Sequence, residues 1–152
     1  MSVMWKYLDK KDAAIQALED FGDMQFIIEN TPDEIKLAQD RMVSLGSPGM
    51  DGLPHAHNPK AGEDRLVEAI EKIDILKERY RQALEYMSWF KPAWEKLNDD
   101  ERYVLEAFYS GNEYGSDAMG QVCRRLGVEQ ATAYRRRNHA LDHLQLLLYG
   151  KI

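Results

Sequence analysis

The sequence predicts an all-α chain in which a long N-terminal helical hairpin, coiled-coil-like, is followed by a C-terminal helix-turn-helix domain. Apolar residues recur at intervals of three and four, with no strand-like alternation. Glycine and proline gather in clusters between those runs. Two helix-start signals, TPDE at 31–34 and NDDE at 98–101, mark where new helices are expected. With 152 residues, a net charge of −6, 44% hydrophobic and 30% charged residues, the chain suits one globular domain, or one small domain plus a helical extension. No apolar run approaches the roughly 18 residues of a membrane span, and MSVMWKYLDKKD lacks the apolar stretch of a secretory signal. The single Cys123 excludes an internal disulfide and a multi-cysteine zinc site. A cytoplasmic protein without cofactor, metal or membrane contact is expected.

Helix one is expected over about residues 4–29, with Trp5, Leu8, Ile15, Leu18 and Phe26 near one side. Thr31 as cap, Pro32 in the first turn and Glu34 closing a capping box then predict a second helix from Pro32 to about Leu45. Residues 46–62, GSPGMDGLPHAHNPKAG, hold four glycines and three prolines and are expected to be an irregular loop. A third helix follows over 63–90, with a seam of Leu66, Ile70, Ile73, Leu76, Tyr80, Leu84 and Met87. Pro92 should kink or restart it. Together residues 1–96 form the hairpin or interaction part, and residues 97–152 the helix-turn-helix domain.

That second part is more punctuated. Asn98 caps DDERYVLEAFY, with Glu101 at the capping-box position and Asp99 and Asp100 at the positive helix end. Leu105, Phe108 and Tyr109 give this helix an apolar face, and SGNEYG is a turn. A short helix over 117–126 stops at Gly127, and a long last helix runs from about Gln130 to Tyr149.

Short helix, glycine turn and long helix have the spacing of a helix-turn-helix. Cys123 offers a small side chain where two helices cross, and Gly127 can take positive φ in the tight turn. Val122, Leu126 and Val128 fill the angle, and Ala133 faces back into it. At 100° per residue, Ala133, Ala140, Leu141, Leu144, Leu147 and Leu148 share one face of the last helix. Gln130, Ala131, Tyr134, Arg135 and Asn138 lie broadly opposite, where their chemistry suits the edges of bases in a major groove. Arg124, Arg125, Thr132, Arg136 and His139 are placed to hold phosphates. Residues 116–149 carry five arginines against three acids, a local +2 in a chain of −6, so the acidic total does not exclude a polyanionic partner.

LNDDERYVLEAFYS, VCRRLGV and TAYRRRNHALDHL together resemble region 4 of bacterial sigma factors, over about residues 97–148. With the helical N-terminal part, the chain is similar to sigma-like regulators of Gram-positive phages and integrative elements, the ArpU/RinA-type proteins. The resemblance implies sequence-specific binding of double-stranded DNA and control of transcription, with Gln130, Ala131, Tyr134 and Arg135 facing bases. Arg136 stands where such motifs carry an apolar side chain, so its stem is expected at the core margin with its head near phosphate. Arg137 projects nearly toward the core and is expected to pair with Glu101 or Glu106. Nothing before residue 97 resembles other sigma regions, which favours an activator or accessory factor over a complete sigma factor. The N-terminal helices are then expected to form a homodimer or to contact another protein, such as RNA polymerase. A helical protein–protein adaptor and a DNA packaging or recombination accessory are the alternatives.

The remaining constellations are read as ordinary surface or core. His55 and His57, near Asp51, lack a third clear metal ligand and are read as loop residues. His139 and His143 share a face at i, i+4, without the glutamate of a metalloprotease, and are read as DNA-backbone contacts or exposed residues. No phosphate-binding glycine loop or nucleophile elbow is present, and an enzyme is not expected.

Overall fold

A computed structural model describes residues 8–46, 59–110 and 117–150. Among these the chain is all-α, with five helices and no strand: α1 (Lys10–Gly46), α2 (Pro59–Lys96), α3 (Asp99–Tyr109), α4 (Ala118–Leu126) and α5 (Gln130–Tyr149). The first two form a long N-terminal helix pair. Trp5, His55, His57, Asp51 and most of the SGNEYG turn lie outside the described residues.

The helix break expected at residues 30–31 is absent. α1 runs through Thr31 and Pro32 as one element, and Thr31 is 1% exposed rather than capping. The physical reason lies in the seam: Met24, Ile28, Thr31, Ile35, Ala38 and Met42 turn inward at alternating steps of four and three. A break at Thr31 would throw the following half of this heptad off the shared face. Pro32 sits exposed, one position off the seam, where its ring and missing N–H cost least. The same correction applies further on. α2 begins at Pro59, inside the segment expected to be loop, and passes Pro92 to end at Lys96.

Contacts group the chain into two compact units, residues 24–85 and residues 1–23 with 86–152. In the first unit α2 buries Ile73, Leu76 and Ala83, whereas Leu66, Ile70 and Leu84 stay partly exposed. The expected seam was right at its centre and misplaced at its ends, because alanines that permit close helix approach occupy the inward positions. Phe26 also lies outside the core at 62% exposure.

The second unit has a continuous core of Ala14, Leu18, Phe90, Leu97, Leu105, Leu141, Leu144 and Leu148. Phe21 meets Phe90 at 5.3 Å between ring centroids, and Phe90 stacks on Tyr86 at 5.4 Å. The Tyr86 hydroxyl donates to the Ala17 carbonyl, and burial pushes this phenol's pKa well above its ordinary value. Fully burying side chains of this size contributes about 1.5–3 kcal/mol each. The core therefore holds the start of α1, the end of α2, α3 and α5 in one body, on which the last three helices are mounted. No helix among the described residues is long and apolar enough to cross a membrane.

Candidate nucleic-acid interface

α3, α4 and α5 are set by local signals that act as the sequence predicts. The Asn98 side chain accepts from the Glu101 N–H at 2.8 Å, and the Glu101 carboxylate accepts from the Asn98 N–H at 3.3 Å. Two otherwise unpaired donors at the start of α3 are thereby satisfied. Arg102 donates to the Leu97 carbonyl at 2.9 Å, fixing the α2–α3 corner. α4 ends at Gly127, whose φ of 64° and ψ of 38° place it in the left-handed region. The Val128 N–H donates to the Cys123 carbonyl at 3.1 Å across this turn.

Inside the corner, Tyr103, Val104, Ala107, Val122 and Ala133 are buried, with Phe108, Met119, Cys123, Leu126 and Val128 packed against them. Every residue assigned a structural role in the turn is therefore at the corner, except Arg137. Cys123 is only partly buried, its Sγ 3.8 Å from Met119 Sδ. On α5, Ala133, Ala140, Leu141, Leu144 and Leu148 are buried and Leu147 partly so.

Gln130, Ala131, Tyr134, Arg135 and Asn138 are all exposed, on one outward face at the start of α5. Arg135 has no ion pair or hydrogen bond among the described residues. Tyr134 stacks with Phe108 at 6.5 Å, which fixes its ring without covering it. The Asn138 Oδ1 accepts from Arg137 Nη2 at 3.3 Å, and its amide N–H groups have no acceptor among the described residues. Arg135, Arg136 and His139 border a recess of about 420 Å³ against Asn98, Asp100, Glu101 and Val104.

The residues assigned to phosphate are less uniform. His139 and Arg136 are exposed, and Thr132 is half-buried. Arg136 Nη1 lies 3.9 Å from Asp100 Oδ2, a loose pair between exposed groups. Arg124 reaches Asp117 at 3.0 Å, and the Arg125 guanidinium lies 4.1 Å from the Tyr103 ring centre. Exposed ion pairs and cation–π contacts of this kind are weak.

Arg137 does not pair with Glu101 or Glu106. Its guanidinium lies over Tyr134 at 4.9 Å and Phe108 at 5.3 Å. The reason is that Glu101 is engaged elsewhere: besides capping α3, it holds His143 Nδ1 at 2.6 Å. This His143–Glu101 bridge between α5 and α3 departs from the expectation of His143 as a DNA-backbone contact or exposed residue. The available signal was its position, one residue before Leu144 on the buried side of α5. Among the described residues no group of three His, Cys, Asp or Glu side chains could hold a metal ion.

No family model matches this chain, and comparisons with curated proteins and with solved structures likewise give no match.

Proposed function

We propose that this chain is a sequence-specific DNA-binding transcriptional regulator, acting as a sigma-like activator or accessory factor of a phage or mobile element. In this reading α4, the Gly127 turn and α5 form a helix-turn-helix, and α5 enters the major groove with its N-terminal half. Arg135 reads a guanine through its planar fork, Gln130 and Asn138 read adenines, and Ala131 and Tyr134 meet thymine methyls. Arg124, Arg125, Arg136, Thr132 and His139 hold the flanking phosphates.

The observation that carries the reading is the unpartnered Arg135 within an exposed, mixed polar face, directly behind which α5 is packed on a rigid corner. A solvated helix surface needs charge, but not this combination of planar and amide donors on a fixed support. Binding to random duplex DNA should be measurable at low salt and weaken steeply with added salt. Selection from a random DNA pool should then return a defined site, and a palindromic one would indicate a homodimer with two reading heads.

A second reading, a helical adaptor that contacts RNA polymerase or another protein, is favoured by the exposed Phe26, Leu37 and Ile75 at 62%, 53% and 61%. Absence of any DNA binding at low salt would select it.

A further inference from the structure

The unit formed by residues 24–85 carries eight lysines and arginines against twelve acids, a net of −4. Within it lies a recess of opposite sign. Arg41 of α1 and Arg65 and Lys72 of α2 border a cavity of about 290 Å³ with Glu68 as its one acid, and Ala38 and Ala69 complete the lining. Three cations against one carboxylate give the recess a charge of +2.

Elsewhere on α2 one arginine is fully engaged. Arg81 bonds Glu78 at 2.7 Å and Glu85 at 2.8 Å, and hydrogen bonds from Arg81 and Gln82 hold the Glu78 carboxyl down to about 2. Around the recess, Arg41, Arg65, Glu68 and Lys72 have no ion pair or hydrogen bond among the described residues. Arg41 and Arg65, exposed residues of different helices, line the same small cavity, and their like charges repel across it. An anion seated between them removes that repulsion and fills the donors of two guanidinium forks, whose planar geometry matches a phosphate's oxygens. The paired alanines leave the open space that larger seam residues would fill.

We infer that the Arg41–Arg65–Lys72 recess is a phosphate-binding site that takes a phosphodiester of the DNA backbone, giving the N-terminal helix pair a sequence-independent contact of its own. This rests on the proposed DNA binding by α5 but uses different residues in a different unit. It also gives the unit a role in a complex with a polyanion that its net charge alone would oppose.

The test uses the full chain and a duplex carrying its selected site, with the triple variant Arg41→Gln, Arg65→Gln and Lys72→Gln. As a control for total charge, Lys11→Gln, Lys36→Gln and Lys91→Gln neutralises three exposed lysines elsewhere. The recess variant should reduce the slope of log affinity against log salt by about two to three, with preference for the selected site over random DNA intact. The control should change the slope by less than one. An unchanged slope in the recess variant, with wild-type discrimination still lost in Arg135→Ala, overturns this inference and leaves the α5 reading standing. Failure of the wild-type chain to bind any duplex overturns both.

Two measurements without DNA separate a folding defect from a lost site. Arg41→Glu places a carboxylate beside Arg65 and should raise the melting temperature at low salt, and a fall instead would contradict the repulsion at the recess. Inorganic phosphate should raise the wild-type melting temperature more than chloride of equal ionic strength, and the triple variant should lose this difference. If it does while the DNA salt slope is unchanged, the recess serves a free phosphate-bearing ligand, and the backbone contact is overturned.

Discussion

Arg135, Arg136 and Arg137 are consecutive on α5, and a rotation of about 100° per residue sends them into three environments. Arg135 points into solvent without a partner, Arg136 reaches loosely toward Asp100, and Arg137 lies over Phe108 and Tyr134. Removing them should separate stability from binding. Arg137→Ala should cost about 0.5–1 kcal/mol in denaturant unfolding, the worth of an exposed cation–π contact, whereas Arg135→Ala should stay within about 0.5 kcal/mol of wild type. Equal stability losses for the two would contradict these assignments. Tyr86 makes a prediction of a different kind. Its folded-state pKa is raised by burial, as is that of Tyr149. The folded protein therefore keeps its phenolic protons where the unfolded chain begins to lose them, and stability should fall as pH rises above about 10. Tyr86→Phe should flatten that alkaline fall, leaving the part due to Tyr149. An unchanged alkaline limb would mean that the phenol is not buried as described.

At the scale of elements, local signals were legible where nothing long-range opposed them. Asn98 and Glu101 cap α3 as a pair, Gly127 ends α4 in the left-handed region, and α5 has the boundaries its apolar face predicts. Thr31–Pro32–Asp33–Glu34 is an equally good local signal and is overridden. The deciding information is the inward heptad that passes through Thr31, and its value depends on the packing partner that α2 supplies. The same reasoning explains the missed His143–Glu101 bridge, since its partners are 42 residues apart in sequence. A direct check follows for Pro32. In a continuous helix, Pro32→Ala should stabilise by up to about 3 kcal/mol, read by thermal or denaturant unfolding. At the first turn of a separate helix the same change would be close to neutral. Asn98→Ala should in turn destabilise by about 1 kcal/mol, because it removes one side of a formed capping box.

At the scale of the whole molecule, the all-α class and an N-terminal helical hairpin followed from periodicity and Gly/Pro clustering, but the continuity of α1 and the grouping of residues into units did not. Leu105, Leu141 and Leu144 share a core with Ala14, Leu18 and Phe90, so the start of α1 and the end of α2 belong with the last three helices. No sequence pattern within α1 marks where that membership ends. Charge is distributed on the same scale: an acidic chain of −6 carries half of its ten arginines on α4 and α5, and two more line one recess of the helix pair. Such an arrangement orients a polyanion toward a few surfaces and repels it from the rest. Reading of DNA by the outward face of α5 is tested by comparing Arg135→Ala with wild type on the selected duplex and on variants at each base pair. Arg135→Ala should lose about 1–3 kcal/mol on the selected duplex and relax preference at a single base pair. Wild-type affinity and wild-type selectivity in Arg135→Ala would contradict that reading.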